Sequence, residues 1–170
     1  MNVKIKEDKK VFYCDFLNNF ASLSHPMFSK TCEYAIRAVI YIAQKSKDGF
    51  KTGIKEIAKG IDSPEHFIAK ILQDLCRSGL IKSSKGPSGG FYMDKQSLKY
   101  SLADVVKATD GDKIFTGCAL GLDYCSETKP CPIHHEFKKV RKELSDVLHD
   151  AKLGAFYEQF DKNLVFLKQR

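Results

Sequence analysis

A chain of 170 residues with 43% hydrophobic and 29% charged side chains holds enough apolar material for one globular domain with a core, which excludes a disordered or collagen-like chain. Its 28 Lys and Arg against 21 Asp and Glu give a net charge of +7, an excess that suits a polyanionic partner such as nucleic acid or a membrane surface. The charge is uneven: residues 1–26 carry +1, residues 27–100 carry +6, and residues 101–170 are neutral.

The longest apolar stretch, Ala35 to Ala43, is interrupted by Arg37 and falls far short of the ~20 residues that cross a bilayer, so a soluble protein without a membrane partner is expected. The amino terminus mixes Lys4, Lys6, Glu7, Asp8, Lys9 and Lys10 and lacks the apolar core of a signal peptide, which points to a cytoplasmic location. In that reducing setting the six cysteines are not expected to build a disulfide framework, and their grouping calls for metal binding, redox chemistry or packing.

In chain order, residues 1–26 show no periodicity and end at His25-Pro26, and they read as an N-terminal extension. From Ser29 to Gln44, Tyr34, Ala35, Ala38, Val39, Ile42 and Ala43 recur at helical spacing behind Ser29 as N-cap. A short helix, Ile54 to Lys59, is followed by a break at Gly60-Ile61-Asp62. A second helix opens at Ser63-Pro64-Glu65, buries Phe67, Ile68, Ile71, Leu72 and Leu75, and stops at Gly79. Helix, three-residue turn and helix make the helix-turn-helix layout. Leu80 to Ser84 and Phe91 to Met93 read as two strands around a Gly- and Pro-rich loop, which is a wing. A helix from Leu98 to Thr109 follows. Residues 112–131 have neither helical nor alternating pattern and carry three cysteines, the mark of a functional loop. A long helix, Ile133 to His149, carries Phe137, Val140, Leu144, Val147 and Leu148, and a last one runs from Ala155 to Leu167. The long helix has more apolar stripe than one small domain covers, which predicts a homodimer.

The fold class expected is therefore mainly α with a small two-stranded wing: a winged helix-turn-helix domain over residues 27–111, a cysteine-bearing loop over 112–132, and a dimerisation helix with a C-terminal helix over 133–170. A recognition helix enters the major groove with polar residues near its N-terminus, and Ser63, Glu65, His66 and Lys70 stand at the non-core positions there. Lys85 of the wing suits the negative potential of a minor groove, with Gly86, Pro87, Ser88 and Gly89 close to the sugar-phosphate edge. A nucleotide-binding loop is excluded because Gly89-Gly90 leads into Phe91 and not into Lys and Ser or Thr. No paired nucleophile and base is present, so no enzyme is expected.

Cys118, Cys125 and Cys131 can converge on a soft metal, and an iron-sulfur cluster typically takes four protein ligands. His134, three residues after Cys131, is the nearest fourth candidate, and an acidic residue from another helix or another subunit is the second. Zinc competes, although the loop has no Cys-x-x-Cys pair. Cys14, Cys32 and Cys76 read as structural.

From Met27 onward the chain resembles the Rrf2 family of winged-helix transcription regulators. The residues that carry the resemblance are Phe28 to Arg37, Ser63 to Leu75, Gly79-Leu80-Ile81, the wing Lys85 to Phe91, Ser101 to Val106 and the three-cysteine loop. The resemblance implies a homodimer that binds a palindromic operator in double-stranded DNA, usually as a repressor, and a 2Fe-2S or 4Fe-4S cluster that responds to redox state, nitric oxide or iron. It maps the cluster cysteines onto Cys118, Cys125 and Cys131, a histidine ligand of one branch onto His134, and an acidic ligand that another branch takes from the other subunit onto Glu33. Met27 matches the usual family start, which makes residues 1–26 either an extension or the product of an upstream mis-start. The alternatives are a zinc- or thiol-based regulator of the same fold and, from a different class, a small iron-sulfur electron-transfer protein.

Overall fold

The computed structural model describes residues 27–47, 49–156 and 167. The extension 1–26 and most of the last helical pattern, residues 157–166, lie outside the described residues. Helix α1 (Lys30–Ser46) begins as expected: the Ser29 hydroxyl accepts the Cys32 N–H at 3.1 Å and satisfies one of the first-turn donors. Ala35, Ala38, Val39, Ile42 and Ala43 are buried, and α2 (Ile54–Ile61), α3 (Glu65–Arg77) and α4 (Leu102–Asp110) all pack on this helix. Ile57, Ile61, Ile68, Leu72, Leu75, Ile81 and Val105 complete the core. Each such side chain contributes about 1.5–3 kcal/mol on burial.

The helix-turn-helix forms with two local corrections. Helix α2 does not break at Gly60 but continues through Ile61 and ends at Asp62, whose backbone is left-handed (φ 54°, ψ 60°), a conformation Asp tolerates. Gly60 is needed for packing, since a Cβ there would overlap the Tyr41 ring. Ser63 does not cap α3. Its N–H is tied back to Ala58 O at 3.0 Å, and extended Pro64 takes the cap position, accepting the N–H groups of Phe67 and Ile68 at 3.1 Å. At the other end Gly79 (φ 75°) closes the helix, with Leu80 N–H donating to Leu75 O at 3.0 Å.

The wing pairs β1 (Lys82–Ser84) with β2 (Gly90–Tyr92) antiparallel, in the register Lys82 with Tyr92, Ser83 with Phe91 and Ser84 with Gly90. The strands are shorter than the apolar pattern suggests because Leu80, Ile81 and Met93 serve the helical core. A third partner was not expected: Thr52 and Phe91 exchange two backbone hydrogen bonds of 2.9 Å. Gly90 permits this approach, since a Cβ there would stand 2.9 Å from Thr52 O.

Leu98 belongs to a separate 3-10 turn (Ser97–Lys99) and not to α4, because a capping box resets the chain at Ser101. The Ser101 hydroxyl accepts from Asp104 N–H at 3.4 Å, and the Asp104 carboxylate accepts the Ser101 N–H at 2.8 Å. At its far end α4 meets the start of α1, where Asp110 accepts the Ser29 N–H at 2.9 Å. The cysteine loop holds one short helix, α5 (Lys113–Thr116), and is otherwise irregular up to α6 (His134–Asp150). Helix α6 packs on α4 and α5, with Leu148 joining Cys32, Ala103 and Val106 in a second small core. After α6 the chain returns to the winged domain: Leu102 N–H donates to Ala151 O at 3.0 Å, Leu153 N–H to Tyr100 O at 2.8 Å, and Leu153 is fully buried. Among the described residues no helix is long and apolar enough to cross a membrane.

Candidate metal centre and nucleic-acid interface

The N-terminal end of α3 presents Glu65, His66 and Lys70 to solvent on the face opposite Ile68, Ile71 and Leu72. Ser63 precedes the helix, with its hydroxyl shielded and without a hydrogen-bond partner among the described residues. In the wing, Lys85, Gly86, Pro87 and Ser88 are exposed and Gly89 is half-buried. Gly89 closes the tip by donating its N–H to Gly86 O at 2.9 Å. The Thr52 bridge adds two residues to this edge that the sequence reading missed. Phe50 is 63% exposed and shares with Lys51, Pro87, Ser88 and Gly89 an open groove of about 400 Å³. No local pattern marks Phe50, since only the long-range pairing of Thr52 carries it to the wing.

At the opposite end of the α4–α6 pair, the three loop cysteines converge. The sulfurs of Cys118, Cys125 and Cys131 lie within 4.8 Å of one another, and Cys118 and Cys131 are 3.7 Å apart. Tight local turns shape the loop: Gly121 N–H donates to Cys118 O at 3.0 Å, and Cys131 O accepts the first N–H of α6, from His134, at 3.0 Å. Backbone N–H groups of Leu122 and then Leu120 aim at the Cys118 thiol and lower its pKa to about 7, which favours the thiolate. Cys125 differs. The Cys131 N–H pulls it down, but desolvation and the neighbouring thiols outweigh that and leave it raised.

His134 is 7% exposed, and its Nδ1 stands 3.1 Å from Cys125 Sγ. Its other ring nitrogen, Nε2, lies 3.3 Å from Glu127 Oε1, which also accepts from Lys138 Nζ at 2.6 Å. Those two contacts, Lys138 first, draw the Glu127 carboxyl down to about 2. Neither residue was foreseen. Lys138 stands one helical turn after His134 and was legible as an i,i+4 neighbour, whereas Glu127 reaches the ring only through the turn in which Ser126 and Lys129 exchange backbone hydrogen bonds of 3.2 Å. Glu33 sits in the first turn of α1, paired with Lys30 at 2.7 Å. The Ser29–Asp110 contact brings that turn to the end of the molecule where the cysteine loop begins.

Three thiols and one imidazole nitrogen form a soft donor set that fits iron-sulfur or zinc ligation and not a hard cation such as Mg²⁺. By contrast Cys32 is fully buried between α1 and α4, and burial pushes its thiol up to about 11, as suits a packing residue. Cys76 is also raised by burial, and Cys14 lies outside the described residues.

Residues 28–159 match the Rrf2 family, described as an iron-dependent transcriptional regulator. The chain belongs to the Rrf2 family. An Aquifex aeolicus protein assigned as an HTH-type transcriptional regulator is 32% identical over 122 residues, 71% of this chain and 83% of that one. The regulator NsrR of Geobacillus kaustophilus is 26% identical over 139 residues, 81% of this chain and 94% of its own. IscR of Klebsiella pneumoniae is 24% identical over 121 residues, 71% of this chain and 73% of its own. Among solved structures, CymR, the global cysteine regulator of B. subtilis, superposes with a TM-score of 0.64 at 22% identity, covering 76% of this chain and 95% of that one. T. potens IscR gives 0.60 at 21%, covering 81% and 90%. The winged helical fold of this Rrf2 protein is thus that of known regulators, and its relatives are transcription regulators and not enzymes.

Proposed function

We propose that this Rrf2 protein is a homodimeric, cytoplasmic DNA-binding repressor whose affinity for a palindromic operator is set by an iron-sulfur cluster, 2Fe-2S or 4Fe-4S, held by Cys118, Cys125, Cys131 and His134. The observation that carries this reading is the convergence of three thiols within 4.8 Å beside a nearly buried imidazole nitrogen. His134 is preferred to Glu33 as fourth ligand because its Nδ1 already lies 3.1 Å from Cys125 Sγ, whereas Glu33 is paired with Lys30 and would have to come from the second copy. When bound, the cluster supplies sensitivity to oxidants, nitric oxide and iron supply.

The chain's own residues connect that site to DNA. Ligation ties residues 118–131 to the first turn of α6; without it, the loop is held to α6 by the Cys125–His134 contact and by Arg141, which donates to Gly117 O at 2.7 Å. The other end of α6 is joined to residues 98–102, so loop order bears on the attitude of the winged domain. Ser63, Glu65, His66 and Lys70 are read as the major-groove set, and Lys85, Gly86, Pro87, Ser88 and Gly89 as the wing contacts, with Phe50 and Lys51 beside them. Val140 and Val147, 53% and 65% exposed on α6, support the dimer, and two-fold symmetry of the protein is what a palindromic operator matches.

Anaerobic purification with absorption spectra and analysis of iron, sulfide and zinc tests the reading. Iron with acid-labile sulfide is expected in the wild type, and Cys125→Ala should lose both while keeping its helical circular dichroism. A second reading fits the same site. The 3.7 Å between Cys118 and Cys131 is close to the edge that two thiolates span on any single tetrahedral metal, about 3.8 Å for Zn–S bonds of ~2.3 Å, so one zinc ion fits as one iron of a cluster does. A colourless protein with one zinc and no sulfide per chain would select it.

A further inference from the structure

We infer that Glu127 and Lys138 are positioning residues that hold His134 with its ring proton on Nε2 and its Nδ1 lone pair turned toward Cys125, one of the three thiols. The argument is one of donors and acceptors. An ionised carboxylate only accepts hydrogen bonds, so the 3.3 Å approach of His134 Nε2 to Glu127 Oε1 requires the proton to be on Nε2. In a neutral imidazole the other nitrogen is then an acceptor, and this is the atom 3.1 Å from Cys125 Sγ, where the thiol proton can point toward it. Lys138, one turn along α6, donates to the same Glu127 oxygen at 2.6 Å and holds the carboxylate in place. The order Lys138, Glu127, His134, thiols resembles the carboxylate–histidine arrangement that orients metal-bound imidazoles and raises their basicity.

Solvent exposure limits what this pair contributes to stability: Glu127 and Lys138 are 61% and 57% exposed, and such pairs add little to folding. Selecting a tautomer asks for far less, because a preference of about fivefold, the upper range for an exposed pair, already leaves one form dominant. Alignment also matters at the ring. His134 is buried and its neighbour His135 stands edge-on with ring centroids 5.1 Å apart, so the imidazole has little room to turn once Glu127 holds its outer edge.

The inference rests on the reading of His134 as a ligand, but its first test does not need the metal. In metal-free, ¹⁵N-histidine-labelled full-length protein, long-range ¹H–¹⁵N correlation spectra at pH 8 should give His134 a protonated Nε2 with a hydrogen-bonded, exchange-protected proton. Glu127→Ala should abolish that protection and draw the two ring ¹⁵N shifts toward each other, while Glu127→Gln, whose amide oxygen still accepts, should retain the wild-type pattern. A wild type protonated on Nδ1, or Glu127→Ala spectra identical to wild type, overturns the inference. In metal-loaded protein, Glu127→Ala should release metal to a chelator roughly 10–100-fold faster than wild type, and Glu127→Gln should fall between. A wild type that binds no metal yet shows the Glu127-dependent tautomer supports the orientation and overturns the proposed ligation alone.

Discussion

Ser101 illustrates how much one side chain settles. It caps α4, exchanges hydrogen bonds with Asp104, and stands where Lys152 bridges back from the end of α6. Ser101→Ala should therefore cost about 1 kcal/mol and lower the melting temperature by a few degrees, measured by circular dichroism at pH 7. The loss should depend on pH with a definite sign. Partial burial raises the Asp104 carboxyl, but the Ser101 N–H and hydroxyl, with Lys107 and His149, outweigh it and hold it below its ordinary 3.8. A carboxyl lowered on folding contributes stability above its unfolded value and loses it as pH falls through the folded one. The difference between Ser101→Ala and wild type should accordingly be full at pH 6 and shrink below about pH 3.8; a difference that grows in acid would contradict the capping box.

At the scale of elements, the proposed wing edge combines a charged contact with an apolar one, and salt separates them. Lys85→Ala should weaken operator binding and reduce the slope of log K against log salt by about one phosphate equivalent. Phe50→Ala should weaken binding to a similar degree with the slope unchanged, because an exposed ring beside the wing offers apolar contact and not charge. Equal slopes for the two variants would sink that distinction. The elements also mark how far the sequence can be read. Periodic helices α1, α3 and α6 were legible because their apolar faces repeat every three to four residues. So was the three-cysteine grouping, through spacing alone. The end of α2 and the start of α4 were misjudged where a single residue overrides pattern, Gly60 by packing on Tyr41 and Ser101 by capping. Glu127 and Phe50 were invisible because irregular chain and a distant bridge bring them to their sites. His149, at the end of the long helix, is half-buried, with its ring 5.9 Å from Phe115 and its Nδ1 2.7 Å from Ser145 O.

For the whole molecule, the exposed side of α6 is left without an apolar partner among the described residues. Leu148 is buried against α4, but Val147, the residue before it, and Val140, about two turns back along the same helix, are over half exposed. Replacing both by Lys should convert a dimer to a monomer in sedimentation velocity while the helical spectrum persists, and should weaken binding to a full palindrome far more than to a half-site. A double variant that still sediments as a dimer would move the interface elsewhere.

Helices α4 and α6 form a hairpin whose open end is closed by the Leu102–Ala151 hydrogen bond and joined to residues 98–100 by the N–H groups of Leu153 and Gly154, and the two arms are unequal. Helix α4 has 9 residues and α6 has 17, so at 1.5 Å per residue the longer arm outruns the shorter by about 12 Å. The thiols therefore ride on an overhang. A small tilt at the sewn end becomes a larger sweep at the tip, and by the same lever a displacement at the tip reaches the winged domain reduced in amplitude but amplified in force. In the proposed dimer, such gearing would suit a sensor that clamps two DNA-reading surfaces at a fixed separation over one that reshapes either surface.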